Sequence, residues 1–232
     1  MNRAIVFDVD GTLAETEEAH RKAFNRAFSE AGLSWYWDQD LYRKLLTVTG
    51  GKERIRQFIE DYGGDGAPGD KLDEFIKALH VKKTSAYTEI VRGGGLDLRP
   101  GVRELIAKAR DHGYRLAIAT TTTPANIDAL LTANFGDAWH SLFEVICAGD
   151  SVPNKKPAPD VYLRTLEELD LPAGNCIAIE DSRNGLLSAR AAGIESIVTP
   201  SFYTRDENFD EAALVIDSLQ SLEFGVIDSL LE

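Results

Sequence analysis

Short apolar runs recur along the chain and alternate with stretches of helical periodicity. The first run, Ala4 to Phe7, is typical of a fully buried strand. Similar runs lie at residues 115–120, 143–150, 175–181, 195–200 and 213–216. Between them the apolar spacing is helical, as in residues 100–113 and 182–193, which end at Gly113 and Gly193. The alternation predicts an α/β fold, with a Rossmann-like, mostly parallel sheet and right-handed crossovers.

One interval departs from this alternation. Between about residues 16 and 91 the chain has only helical patterns, at residues 17–32, 41–48, 52–63 and 73–87. The glycine run 93–95 follows them before the strands resume. This pattern predicts a helical cap domain, residues 16–94, inserted into a core domain made of residues 1–15 and 95–232. Its hinges are expected near residues 15–16 and in the glycine run, because glycine tolerates large changes of φ and ψ.

Composition and charge narrow the class of protein. A hydrophobic fraction of 44% over 232 residues supports a sizeable core. The formal net charge of -13 argues against a surface that binds nucleic acid or anionic membranes. The sequence has no apolar stretch of the ~18–20 residues that a membrane span needs, and no signal-peptide pattern. We expect a monomer that acts on a small molecule in the cytoplasm, or in an organelle stroma if a transit peptide has been removed.

The two cysteines, Cys147 and Cys176, both fall in predicted strands. Neither belongs to a CxxC or Cys/His cluster, so we expect two buried thiols in a reducing compartment.

Reactive groups follow four of the predicted strands: Asp8 and Asp10, Thr120 to Thr123, Lys155 and Lys156, and Glu180 to Ser182. In an open parallel sheet, ligands bind outside the carboxyl ends of the strands. Three acidic residues that converge with one lysine indicate a hard cation, held by oxygen ligands, that faces an anion.

The spacing of Asp8 and Asp10 has a mechanical meaning. Residues two apart in extended chain point the same way, so both carboxylates can flank one reacting group while Val9 packs away from it. One carboxylate can attack as a nucleophile while the other transfers a proton. Taken singly, each element has a structural explanation: a surface turn or structural metal site, a threonine-rich strand end, an exposed lysine pair, or an acidic helix N-cap. Their joint occurrence at successive strand ends favours catalysis.

The motifs FDVDGTL, Thr120, KKPAPDVY and AIEDSRNGL resemble the four motifs of the haloacid dehalogenase superfamily. The resemblance is to the branch of phosphatases and phosphomutases whose helical cap follows the first motif. It implies that Asp8 forms an aspartyl-phosphate, that Asp10 is the acid and base, and that Thr120 and Lys156 hold the phosphoryl oxygens. The Mg²⁺ ligands it implies are Asp8, the main-chain carbonyl of Asp10, and Asp181, with Glu180 in support.

Two polar residues of the first cap helix, Glu17 and His20, fall on its apolar side at the end nearest Asp8 and Asp10. Such residues are either partners within the cap core or groups that face a cleft, and their position favours the cleft. Arg21 falls on the opposite, polar side of the helix.

The segment TGGKERI, residues 49–55, places Lys52 and Arg54 where a helix begins. Main-chain N–H groups at a helix start, together with a lysine, favour a second phosphate site. The alternative is a loop with solvent-exposed cations. On the last cap helix, similarity favours Lys83 as a lysine that faces the substrate. The alternative is that Lys83 lies on a solvent-exposed face. The segment SWYWD, residues 34–38, is interpreted as the cap's own hydrophobic core.

A second cationic site opposite the first indicates a substrate with two phosphates. The segments DVDGTLAETEEAH, TGGKERI, ATTTT and PSFYTRDENF resemble the CbbY-type phosphatases, which remove a phosphate from xylulose-1,5-bisphosphate, an inhibitor of the carbon-fixing enzyme Rubisco. A β-phosphoglucomutase, which shares the scaffold, is the alternative. We expect Tyr203 and Arg205 to order the tail against the core. The substrate-binding residues implied by resemblance are Glu17, His20, Thr49, Gly50, Gly51, Lys52, Glu53, Lys83, Thr121 and Thr122.

Overall fold

A six-stranded parallel sheet runs through the part of the chain that the computed structural model describes, residues 2–94 and 96–231. Its strands are β1 (Ala4–Phe7), β2 (Arg115–Ala119), β3 (Val145–Cys147), β4 (Cys176–Glu180), β5 (Glu195–Val198) and β6 (Leu214–Val215). Their spatial order is β3-β2-β1-β4-β5-β6. All six coincide with predicted apolar runs, and the predicted α/β fold is confirmed.

The central strand β1 is buried on both faces, which explains its uninterrupted apolar sequence. Ile5 and Phe7 pack on one face, and Ala4 and Val6 on the other. The first face is covered by α5 (Val102–Asp111), α6 (Pro124–Phe135) and α9 (Phe224–Leu230), and the second by α7 (Asp160–Leu169) and α8 (Arg183–Ala191).

The register of the sheet brings three strand ends together. Phe7 of β1 pairs with Ile118 of β2 and with Ile179 of β4. Asp8 therefore lies level with Ala119 and Glu180, where the chain leaves the sheet. The side chains that follow these strands meet at one edge.

The first four α-helices after β1 form the cap: α1 (Glu17–Glu30), α2 (Gln39–Leu45), α3 (Gly51–Tyr62) and α4 (Leu72–Arg92). They surround an aromatic cluster that includes Phe24, Phe28, Trp35 and Trp37. The interpretation of SWYWD as cap core is confirmed for both tryptophans, whereas Tyr36 is 67% exposed. The domain boundaries remain a prediction, and Gly95, where one of them falls, lies outside the described residues.

Two side chains lie elsewhere than their sequence pattern indicates. Arg21, expected on the polar face of α1, is buried and donates to the main-chain carbonyl of Trp37 at 2.7 Å, because the loop after α1 folds back over that face. Tyr203, expected against the core, packs in the aromatic cluster of the cap instead. That prediction was wrong for Tyr203, while the Arg205 guanidinium lies 4.4 Å from the Phe202 ring centroid.

Smaller features agree with the sequence. Cys147 and Cys176 are buried free thiols in β3 and β4. Ser182 caps α8 by accepting a hydrogen bond from the main-chain N–H of Gly185. Among the described residues, no helix is long and apolar enough to cross a membrane.

Candidate active site

A buried ion-pair network lies where β1 and β4 end. The Lys156 ammonium donates to Asp8 Oδ1 at 2.7 Å, to Glu180 Oε1 at 2.6 Å and to the main-chain carbonyl of Ala119 at 2.9 Å. The Tyr162 hydroxyl donates to the same Glu180 oxygen at 2.6 Å. Lysine has three donors and no acceptor, so these contacts use its full capacity and fix its position.

The electrostatics of this network are unbalanced, since the ammonium of Lys156 pairs with Asp8 and Glu180 while the carboxyl group of Asp181 lies close to both of them. Burial raises the pKa of Asp8 to about 7, although Lys156 opposes the shift. Burial and the neighbouring carboxylates also raise the pKa of Asp181 well above its ordinary value. For Lys156, burial acts against the charged form, but Asp8 and Glu180 outweigh it and raise the pKa above the ordinary value. Another positive charge would favour the ionised carboxylates.

The donor set fits a hard divalent cation. Asp8, Glu180 and Asp181 are buried, and one carboxylate oxygen from each lies within 4.8 Å of the others. Oxygen ligands are the kind that Mg²⁺ prefers. Gly11, at φ 84°, lets the first-motif loop turn beside this cluster, since a Cβ there would lie 2.1 Å from Asp181 Oδ2.

Asp10 faces the cap instead of this carboxylate cluster. Its Oδ1 accepts from the Thr16 hydroxyl at 2.7 Å and lies 2.9 Å from His20 Nε2. Burial acts to raise the pKa of Asp10, but the contacts with His20 and Thr16 outweigh it and hold the pKa well below its ordinary value. The predicted role of Asp10 as a metal ligand therefore depends on its main-chain carbonyl, as the resemblance implies.

The histidine connects Asp10 to a cap lysine. Lys83 Nζ lies 2.7 Å from His20 Nδ1, and the His20 ring stacks on Tyr87 with centroids 4.0 Å apart. Because an ammonium only donates, His20 Nδ1 accepts this hydrogen bond, which places the proton of a neutral ring on Nε2, toward Asp10. Burial lowers the pKa of Lys83 to about 8, an effect that Asp10 opposes.

A second chain of polar groups lies in the cap wall, which is the cap side of the cleft between core and cap. The Tyr42 hydroxyl donates to Glu17 Oε2 at 2.6 Å and accepts from Arg54 Nη1 at 3.0 Å. Arg54 is only 8% exposed, and its Nε donates to the main-chain carbonyl of Leu45 at 3.3 Å. These contacts orient Glu17 and hold a guanidinium in the cap wall.

Core and cap line an open cleft, whose space of about 870 Å³ includes part of the solvent at its mouth. Of the three predicted site residues outside its lining, Glu180 lies buried beside Lys156, whereas Lys52 and Glu53 line an adjoining recess. The predicted residues that line the cleft are Asp8, Asp10, Glu17, His20, Thr49, Gly50, Gly51, Lys83, Thr120, Thr121, Thr122, Lys156 and Asp181.

Several cleft residues are absent from the predicted site. Arg54 belongs to a motif that the sequence singled out, but Lys52 was chosen there as the cation. Asn126 is buried in the first turn of α6, and its Oδ1 has no hydrogen-bond partner among the described residues. Asn184 of α8 bridges core and cap by donating to Thr49 Oγ1 at 3.0 Å. Asn184 belongs to the AIEDSRNGL motif but was not singled out within it, and no motif contains Asn126. The positions of both asparagines depend on how the turns after β4 and β2 fold.

This arrangement suits phosphoryl transfer, because a buried carboxylate nucleophile lies beside positive charge and close to a second carboxylate. A family model of haloacid dehalogenase-like hydrolases matches residues 2–193. The chain belongs to this family and is a phosphatase, a hydrolase of phosphoric monoesters.

The most informative similarities are to CbbY proteins. The plasmid-encoded CbbY protein of Cupriavidus necator is 54% identical over 217 residues, which span 94% of this chain and 85% of the relative. The crystal structure of CbbY from Rhodobacter sphaeroides in complex with phosphate has a TM-score of 0.93 and 48% identity, and the match covers 98% of this chain and all of the other. A mutant of that protein in complex with xylulose-1,5-bisphosphate gives a TM-score of 0.90 at 49% identity, with 96% of each chain covered.

Proposed function

We propose that this protein is a Mg²⁺-dependent phosphatase of sugar bisphosphates. Its substrate is xylulose-1,5-bisphosphate, which it converts to xylulose 5-phosphate and phosphate through an aspartyl-phosphate on Asp8. The observation that carries the proposal is the Asp8 carboxylate, 2.7 Å from the Lys156 ammonium at one wall of the cleft, opposite a polar cap wall.

In the first step, Asp8 attacks phosphorus, the bond from phosphorus to the sugar oxygen breaks, and the sugar oxygen takes up a proton from Asp10. In the second step, water attacks the aspartyl-phosphate, loses a proton to Asp10, and releases phosphate and the Asp8 carboxylate. Thr120 and Lys156 hold the transferred oxygens, and Lys156 exchanges one of its three present contacts for the phosphoryl group. Mg²⁺, when bound by Asp8, Asp181 and the Asp10 carbonyl, neutralises the charge of nucleophile and phosphoryl group.

The hydrogen bonds of Asp10 constrain how it acts. Both Thr16 and His20 stabilise its ionised form, so the carboxylate is ready to accept a proton from water. To donate a proton in the first step, Asp10 must give up at least one of these contacts and carry the proton that it took from water in the preceding turnover. Lys83 and His20 therefore influence the proton transfer, and they are also part of the cap wall.

The cap wall supports a second phosphate. Lys83 and Arg54 line it with cationic groups, and the main-chain N–H groups of Gly50 and Gly51 lie at the start of α3. Xylulose-1,5-bisphosphate is favoured because CbbY from Rhodobacter sphaeroides, 49% identical to this chain, has been crystallised with it.

The test is phosphate release from a panel of sugar mono- and bisphosphates that includes xylulose-1,5-bisphosphate and ribulose-1,5-bisphosphate. We expect strong preference for the first, loss of activity with EDTA, and recovery with added Mg²⁺. Asp8→Asn should abolish turnover, while Lys82→Met, an exposed change on α4, should not. Full activity of Asp8→Asn would contradict the mechanism. Isomerisation of a sugar phosphate without free phosphate would instead identify a phosphomutase.

We also infer a monomer that acts on small phosphorylated sugars. We further infer that it does not bind nucleic acid, because the chain has a net charge of -13. Light scattering after gel filtration tests the oligomeric state. An electrophoretic shift with DNA or RNA at physiological salt would contradict the second part.

A further inference from the structure

The segment that follows β5, residues 199–205, contacts the core, the cap and the candidate cation site. On the core side, the Arg99 guanidinium donates to the main-chain carbonyls of Thr199 at 2.7 Å and Pro200 at 2.8 Å. The N–H of Thr199 donates to the Glu180 carbonyl at 2.8 Å. The 199–205 segment is therefore firmly attached where β4 and β5 end.

Its tyrosine is bound to the cap. Tyr203 is 5% exposed and its hydroxyl donates to Glu18 Oε2 at 2.8 Å. Its ring lies edge-on to Tyr42, with centroids 5.6 Å apart, and its main-chain carbonyl accepts from Arg43 Nη1 at 3.0 Å. A residue of the core thus completes the aromatic cluster of the cap.

The next residue is bound to the candidate cation site. The Thr204 hydroxyl donates to the main-chain carbonyl of Asp181 at 2.7 Å and lies 3.3 Å from Asp181 Oδ2. It also accepts from the N–H of Ser201 at 2.9 Å. Asp181 is one of the three residues whose carboxylates could hold a cation.

We propose that Tyr203 and Thr204 are positioning residues that couple the placement of the cap to the placement of Asp181. Adjacent residues share one peptide bond, so release of Tyr203 by the cap would displace the Thr204 hydroxyl, which donates to the main-chain carbonyl of Asp181. The cation then binds most tightly when the cap lies against the 199–205 segment. The inference rests on the proposed function only in taking Asp181 as a cation ligand.

The first test compares Thr204→Val with Thr204→Ser by titrating each protein with MgCl₂ alone in a calorimeter. Removing a partner of a metal ligand weakens metal binding by about 10- to 100-fold in comparable sites. We expect a loss of this size for Thr204→Val and near wild-type affinity for Thr204→Ser, which keeps the hydroxyl. A melting curve in EDTA, recorded for each variant, shows that it is folded.

The second test asks whether the cap acts through Thr204. Tyr203→Phe keeps the ring but removes the hydroxyl that binds Glu18, and we expect it to weaken Mg²⁺ binding about 3-fold or more. The matched control is Tyr36→Phe, since Tyr36 is an exposed tyrosine of the same cap. In the Thr204→Val background, the tyrosine change should have no further effect on Mg²⁺ affinity, because the connection is already broken.

The possible results separate this inference from the proposed function. If the wild-type protein binds Mg²⁺ and Thr204→Val binds it equally well, the coupling is overturned and the proposed phosphatase stands. Additive effects of Tyr203→Phe and Thr204→Val would also overturn it, since the two residues would then act independently. If the wild-type protein does not bind Mg²⁺, the proposed cofactor fails and the coupling fails with it.

Discussion

Replacing Lys156 by methionine tests the electrostatics of the active site directly. The change keeps a long apolar stem but removes the ammonium that faces Asp8 at 2.7 Å and Glu180 at 2.6 Å. It leaves the carboxylates of Asp8 and Glu180 buried without their cation. Asp181 adds a third buried acidic group beside them. Removing one partner of a buried ion pair typically costs about 3–5 kcal/mol of folding free energy. For a chain of this size, that cost corresponds to a fall in melting temperature of about 6–20 °C.

The assay is thermal and urea unfolding in EDTA, followed by tryptophan fluorescence, with Lys82→Met as the matched exposed control. The cost should be larger at pH 8 than at pH 5. Burial already raises the pKa of Asp8 to about 7, and loss of Lys156 raises that pKa further. A carboxyl group whose pKa is raised in the folded state makes the protein less stable as pH rises. The folded state must then give up a proton that it holds more tightly than the unfolded chain does. A variant within about 1 kcal/mol of wild type at pH 8 would refute this account, since the buried pair would then contribute no more than an exposed one.

Three further outcomes follow from the same structure. Burial lowers the pKa of Lys83 to about 8. KM for the sugar bisphosphate should therefore rise between pH 7 and 9.5 in the wild type but not in Lys83→Met. A flat wild-type profile would exclude Lys83 from substrate binding. Gly185→Ala should lose about 1–3 kcal/mol of stability in a urea titration, because its Cβ would lie 1.9 Å from Glu180 Oε2. Gly174→Ala, where a Cβ meets nothing within 4 Å, is the control in the same titration. Trp37→Ala should cost about 3–5 kcal/mol by opening a cavity in the aromatic cluster of the cap, and an unchanged urea midpoint would contradict the packing described for it.

The coupling through the 199–205 segment adds a role for the cap beyond substrate choice. A cap that binds Tyr203 contributes indirectly to the order of Asp181, so cap contacts and cation affinity become linked quantities. Substitutions in the cap, far from the metal ligands, are then expected to change Mg²⁺ affinity when they disturb Glu18 or Arg43.

The sequence by itself determined the architecture of the core and the chemistry at its strand ends. Strands such as Ala4–Phe7 are apolar throughout because both faces of a parallel sheet are covered, and this local pattern is readable without tertiary contacts. The strand-end groups that contain Asp8, Lys156 and Asp181 were recognised because parallel strands all place their carboxyl ends at one edge. The choice of Lys156 and Asp181 within those groups came from the family resemblance.

Only the tertiary structure decided which cation of the TGGKERI segment faces the cleft. The sequence shows that this segment carries two cations at the start of a predicted helix. The rotation of α3 within the cap brought Arg54 to the cleft and Lys52 to the adjoining recess. Tyr203 is the plainest case, since it lies late in the core sequence and yet packs in the cap. Contacts between residues so distant in the chain arise from packing, which leaves no periodic signal along the sequence.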